Sequence, residues 1–149
     1  MPTLIENKKA HLNFEILERF EAGVELIGSE VKSLKSKRGS LVGAFVGARG
    51  GEAFLLGAEI PPYQPGNAVE DYDPRRARRL LLTKAEIARL AGFESKKGLT
   101  IIPISMYTKG RTIKLSIGVA RGKKTHDKRE SIKKREAKLH IERELKRDR

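Results

Sequence analysis

Residues 112–119 read Thr-Ile-Lys-Leu-Ser-Ile-Gly-Val, with Ile113, Leu115, Ile117 and Val119 on one parity and Lys114 and Ser116 on the other. A period of two sends successive side chains to opposite faces of an extended chain, so this segment buries one side only as a β-strand. Ile102, Ile104 and Met106 repeat the pattern just upstream and are expected to share one face. Thr108-Lys109-Gly110-Arg111 between the two runs has the length and the glycine of a hairpin loop. Pro103 has no N–H to give to a ladder, which directs it to an edge or a bulge.

The same alternation governs the amino-terminal part. Phe14, Ile16, Phe20, Ala22, Val24 and Leu26 share a parity, and Gly23 is a place where this run can divide into two paired strands. Arg49-Gly50-Gly51-Glu52, flanked by AFVGA and AFLLGAEI, reads as another hairpin. Pro61-Pro62-Tyr63 followed by Pro65-Gly66-Asn67 marks a loop. Helix signals are local. Asp73-Pro74 has the form of an N-cap followed by proline at the first helical position. Thr83 and Glu86 have capping-box spacing, with Gly92 as the expected stop. Glu30 to Lys37 is a third short helix, with Val31 and Leu34 on one side. The expected fold is mainly β: a small oligonucleotide-binding-like barrel, closed or partly closed, of about six strands with about three short helices.

None of these patterns continues into the last part of the chain. Tyr107 is the final aromatic residue, and from Arg121 to Arg149 there are 13 Lys and Arg against 6 Asp and Glu. That segment carries +7 of the chain's formal net charge of +13. Residues 1–120 are therefore expected to form an RNA-binding domain and residues 121–149 a basic tail, disordered when free because it has too little apolar surface to offset ordering. So basic a chain points to a polyanionic partner, nucleic acid foremost. A membrane is not the expected partner, since no window approaches the about 18 apolar residues of a span. With no cysteine, disulfides and thiolate metal sites are excluded. The amino terminus lacks a signal-peptide core, and cytoplasmic location is the expectation.

No cofactor is expected, since neither a phosphate-binding Walker sequence nor a dinucleotide glycine fingerprint occurs. The histidines are His11, His126 and His140, two of them in the tail. They offer no converging acid–base pair, and an RNA-processing enzyme is the less favoured reading. The positive signal is four basic clusters: Asn7-Lys8-Lys9; Lys32, Lys35, Lys37 and Arg38; Arg75-Arg76-Ala77-Arg78-Arg79; and the tail. Together they suggest a phosphate-tracking surface. Several of the eight aromatic residues fall at core-facing positions, so stacking is limited and a structured RNA is favoured over a bare single strand. Glu30 sits within the second cluster. It has two readings: a first-turn acid favoured by the helix dipole, or an acceptor for a base or ribose.

Five segments occur in an order that resembles a known family: ENKKA at 6–10, GSEVKSL at 28–34, Pro61-Pro62-Tyr63 with Gly66-Asn67, YDPRRARRLLL at 72–82, and GKKTHDKRESIKKRE at 122–136. They resemble the bacterial SsrA-binding protein family, also called small protein B, over residues from about Leu4 to Arg147. The resemblance implies a non-enzymatic, monomeric protein that binds the transfer-RNA-like domain of transfer-messenger RNA. It implies delivery of that RNA to stalled ribosomes for trans-translation. By motif match, Asn7, Lys8, Lys9 and Glu30 would lie on the RNA-binding face, with Lys32, Lys35 and Arg38 beside them. Gly122, Lys123, Lys124, Asp127, Lys128 and Arg129, continuing to Lys133, Lys134 and Arg135, would form a ribosome-directed tail. Its place would be the empty message channel, against ribosomal RNA near the decoding centre. The alternative is a generic barrel-type RNA-binding or ribosomal protein with no selectivity for a transfer-RNA-like fold.

As a helix, residues 131–147 would be charged almost all round. At about 100° per residue, Ile132 and Leu139 fall together while Ala137, Ile141 and Leu145 fall roughly opposite. Glu130 with Lys134 and Glu142 with Lys146 have i,i+4 spacing, each pair contributing about 0.2–0.5 kcal/mol. Ordering costs about 1–2 kcal/mol per residue, so such a helix is expected only where phosphates surround it.

Overall fold

A computed structural model describes residues 2–64 and 71–123. The tail readings at Lys124, Asp127, Lys128, Arg129, Lys133, Lys134 and Arg135, the helix over 131–147, and Pro65-Gly66-Asn67 lie outside these residues.

The described chain forms seven strands in one antiparallel sheet with three helices. In chain order these are β1 (Thr3–Glu6), α1 (Ala10–Asn13), β2 (Phe14–Val24), α2 (Gly28–Lys35), β3 (Phe45–Arg49), β4 (Glu52–Leu56), β5 (Arg78–Leu81), α3 (Lys84–Glu94), β6 (Leu99–Lys109) and β7 (Thr112–Gly122). The spatial order is β1-β6-β7-β2-β5-β4-β3. Two of the three hairpins read from the sequence are present. Arg49 pairs Glu52 across Gly50 and Gly51, at φ 58° and 80°, the left-handed pair that a two-residue type I′ turn requires. Lys109 pairs Thr112 across a second tight turn with Gly110 at φ 63°.

The sheet curls until β3 lies against β6, yet among the described residues no ladder joins them, so the barrel stays open. Helix α3 packs against both strands along this seam. Thr83 caps α3: its Oγ1 accepts from the Glu86 amide (3.2 Å), and the Thr83 amide donates back to Glu86 Oε1 (3.0 Å). At the other end Glu94 accepts from the Ala48 amide on β3 at 2.8 Å. The helix runs two residues past Gly92, and Ser95 Oγ donates to the Gly92 carbonyl.

Two bulges redirect the alternation. In β6 the register shifts between Pro103 and Ser105, so Ile102 and Met106 do not share a face. Met106 enters the main core with Ile101, Leu115 and Ile117, whereas Ile102 joins Ala10 and Ala120 on the opposite face under α1. In β2 the shift falls between Ile16 and Glu18 and leaves Leu17 47% exposed. Phe14 and Ile16 thus pack beneath α1 while Phe20 and Ala22 enter the main core. A single added residue moves every later side chain to the other face. Gly23 does not divide β2; the strand continues through it, and Gly23 pairs Lys114 on one side and Leu81 on the other.

The helix expected at Asp73-Pro74 is a turn. Asp73 Oδ1 accepts from the Arg75 amide (2.9 Å) and the Asp73 carbonyl from the Arg76 amide (3.1 Å). Proline suits the second position of such a turn as well as the first of a helix. Here the chain must enter β5 within a few residues. The third helix is instead α1, one turn long, for which the sequence carried no cap signal.

Candidate nucleic-acid interface

Helix α2 is anchored from below by one carboxylate. Glu30 is fully buried, and its Oε1 accepts from the Ile27 amide at 2.9 Å, closing the first turn. The same oxygen accepts from Arg76 Nη2. Oε2 accepts from Arg76 Nε (3.1 Å), from Arg78 Nε and Nη2 (2.9 and 2.7 Å) and from the Tyr72 hydroxyl (3.1 Å). Arg78, equally buried, sends its remaining donors to the Ala58 and Pro74 carbonyls. Burial pushes the Glu30 carboxyl up, but the bonds from Arg76, the Ile27 amide and Arg78 outweigh it and hold the group below its ordinary value. Burial, with the charge of Glu30 beside it, raises the Tyr72 hydroxyl, which stays protonated and shares its one proton between the Ile60 carbonyl (2.7 Å) and Glu30 Oε2.

This geometry corrects the reading of Glu30 as a surface acceptor. No oxygen of the carboxylate faces solvent and every lone-pair direction is occupied. It instead ties α2 to the segment from Tyr72 to Arg78. In the cluster Arg75–Arg79 only Arg78 is fully buried, and Arg75 and Arg79 keep half or more of their side chains exposed while pairing with acids. Arg75 pairs Glu59, Arg76 and Arg78 pair Glu30, and Arg79 lies near Glu25 and Glu52.

Above the buried pair, α2 turns a basic face outward. Lys32, Lys35 and Arg38 are exposed. Three bonds strap residues 61–63 along this helix: Ser33 Oγ to the Pro61 carbonyl (2.6 Å), the Tyr63 amide to Ser29 Oγ (3.1 Å) and Arg38 Nη1 to the Tyr63 carbonyl (3.3 Å). Tyr63 is left 38% exposed beside Lys32, with Gly28, Ser29 and Gln64 around the same hollow. The amino-terminal cluster meets this face from the other side. Lys8 and Lys37 line one cleft of about 510 Å³ between β1 and the end of α2. The first and second sequence clusters, more than twenty residues apart, thus each send one lysine to the same cleft.

Within the first cluster the roles divide. Lys8 and Lys9 are exposed, and Lys9 stands at the start of α1. Asn7 is buried and structural. Its amide donates to the Ile104 carbonyl (2.8 Å), its Nδ2 to the Pro103 carbonyl (3.0 Å), and its own carbonyl accepts from Ala10 (3.1 Å). The side chain thus satisfies the carbonyl exposed by the β6 bulge. Asn7→Ala should lower stability by about 1–3 kcal/mol, the cost of an unpaired buried carbonyl. The midpoint of urea unfolding measures it.

At the far end of the described chain, β7 runs two residues past 120, the expected end of the domain. Gly122 pairs Phe14, and Lys123 is fastened to α1, its amide donating to the Asn13 carbonyl and its Nζ to the His11 carbonyl, both at 2.9 Å. Lys123, the last described residue, therefore lies against α1. This proximity follows from the pairing of β2 with β7 and has no local sequence signal. Among the described residues no group of three or more His, Asp or Glu could hold a metal ion.

Comparison with known proteins matches residues 4–147 to the family described as SmpB protein. The chain is similar to the SsrA-binding protein of Microcystis aeruginosa, 46% identical over 144 residues that cover 97% of this chain and 94% of the relative. It is also similar to the SsrA-binding protein of Clostridium acetobutylicum, 44% identical over 147 residues that cover 99% and 94% of the two chains. Among solved structures it resembles a chain from work on tmRNA–SmpB and the centre of the bacterial ribosome. That match has a TM-score of 0.70 and 42% identity, covering 84% of this chain and 87% of the other.

Proposed function

The chain belongs to the SmpB protein family, and on that premise we propose that it binds the transfer-RNA-like domain of transfer-messenger RNA and delivers it to stalled ribosomes for trans-translation. The observation that carries this reading is the match to SsrA-binding proteins over nearly the whole chain, tail included. The structural match from tmRNA–SmpB and the ribosome supports both partners. The protein is read as a binding module and not as a catalyst, acting with the ribosome in the cytoplasm. Among the described residues no helix is long and apolar enough to cross a membrane.

The division of labour follows from burial. Lys8, Lys9, Lys32, Lys35 and Arg38 are exposed cations that meet RNA phosphates. Asn7 and Glu30 act from beneath, holding the amino-terminal turn and α2 in place. Gly122 and Lys123 aim the tail, whose charge pattern suits a helix walled by ribosomal RNA. Cations set on rigid elements recognise a folded RNA by its backbone shape.

Binding assays with tmRNA against ribosomal RNA fragments test the proposal. Selective binding of tmRNA is expected, without cleavage in the presence or absence of magnesium. Equal affinity for both would leave only a generic RNA-binding protein. Replacing Lys32, Lys35 and Arg38 together with alanine should lower the slope of log affinity against log salt by about 2–3, since each lost phosphate contact removes a little under one unit. An unchanged slope would remove α2 from the interface.

A further inference from the structure

Lys37 closes α2 in the left-handed conformation, at φ 60°. Its amide donates to the Leu34 carbonyl (2.8 Å) and the Arg38 amide to the Ser33 carbonyl (2.9 Å), so the chain turns sharply and satisfies the last carbonyls of the helix. Glycine fills such a position without steric cost, and asparagine at little cost. A long side chain there is strained by contact of its Cβ with the neighbouring carbonyl. Asp71 is the other non-glycine residue at positive φ among the described residues.

The turn itself needs no side chain at this position, and no contact of the Lys37 side chain within the described fold repays the strain. Among the described residues the Lys37 ammonium has no hydrogen-bond or ion-pair partner, in contrast to Arg38, which holds the Tyr63 carbonyl. The left-handed turn instead delivers the side chain into the cleft it shares with Lys8, beside the outer strand β1. Gly39 lines the same cleft. It has no room for a side chain, since a Cβ would stand 3.2 Å from the Glu59 carbonyl. Two unpaired ammonium groups facing one cleft repel each other unless an anion lies between them. The single acid on its walls, Glu6, is on the β1 side.

We propose that Lys37 is a phosphate-binding residue, which with Lys8 grips the RNA backbone where it crosses the cleft between β1 and the end of α2. The proposal rests on the RNA-binding reading above and adds one contact to it. Strain retained at a residue with no internal partner is accounted for by an external ligand. A phosphate is the anion that such a ligand presents to a pair of lysines.

The test is Lys37→Gly in the full-length chain, because glycine keeps the turn and removes only the charge. The thermal midpoint should hold or rise, by up to about 4 °C. Affinity for tmRNA should fall about 3–10-fold at physiological salt, with the salt slope lower by about one unit. Lys37→Arg should restore both affinity and slope. Wild-type affinity and slope in Lys37→Gly would overturn the inference while leaving the RNA-binding reading intact. Unchanged affinity with a growing dimer fraction would assign Lys37 to guarding the β1 edge, and would also overturn it. Failure of the wild-type protein itself to bind tmRNA would bring down the functional reading and the inference together.

Discussion

Replacing Glu30 with alanine is expected to remove about 3–5 kcal/mol of stability, the cost of stranding buried charge when one partner of an ion pair is deleted. Arg78 is fully buried and would keep its charge with only the Ala58 and Pro74 carbonyls and the Tyr72 hydroxyl to receive it. Arg76, about a third exposed, can turn to water, so Arg78 bears most of the loss. The first turn of α2 would also lose the acceptor for the Ile27 amide. RNA affinity should fall as a consequence of a loosened α2, and not through a lost contact. Glu30→Gln separates shape from charge and should recover part of the loss. Chemical denaturation of the three proteins measures the series. A Glu30→Ala variant within about 1 kcal/mol of wild type would show that the network contributes little net stability.

The pH dependence follows from the same carboxylate. Glu30 titrates in the folded protein below its ordinary value of 4.5. A carboxyl whose folded value is depressed contributes stability that is complete above the unfolded value and is lost as pH falls through the folded one. The difference between wild type and Glu30→Gln should thus be constant near neutrality and shrink on acidification below 4.5. Glu94 and Glu21 are lowered too, by Arg49 and by Tyr107 and Lys109 respectively, and subtracting the variant removes their share.

Ending the chain at Lys123 should abolish tagging of nascent chains on messages without a stop codon, while leaving RNA binding at physiological salt nearly intact. The missing residues, 124–149, carry +5 of the formal net charge of +13. Exposed charges act over only about 8–10 Å at that ionic strength, so a segment outside the RNA contact adds little to it. The endpoint matters: stopping at Arg121 would also remove the Gly122–Phe14 pairing and both bonds from Lys123 to α1. In a reconstituted translation system the truncated protein should bind tmRNA and yield no tagged product. Loss of tmRNA affinity at about 0.15 M salt would place recognition in the tail, and normal tagging would deny the tail its ribosomal role.

Local pattern was enough for the mainly β class, two of the three hairpins, the capping box at Thr83 and Glu86, the helix around Glu30 to Lys37, and the basic clusters. Each rests on residues within a turn or a rung of one another, and near-neighbour geometry is written directly in spacing. The resemblance of five ordered segments carried the family and its RNA partner. What stayed hidden depended on residues far apart in the chain. The two bulges could not be seen, because the alternation of Ile102, Ile104 and Met106 is unbroken in the sequence, and only pairing with β7 forces the extra residue. The turn at Asp73-Pro74 looks like a helix start until Glu30 draws Arg76 and Arg78 inward. Glu30 itself, amid lysines, reads as an exposed acid, since nothing nearby shows that its partners arrive from more than forty residues downstream. Composition and periodicity determined that this chain makes a cationic β domain followed by a basic segment with few apolar residues. Tertiary structure decided which charges are spent inside the fold and which stay exposed, because burial and ion pairing are properties of what the folded chain brings together.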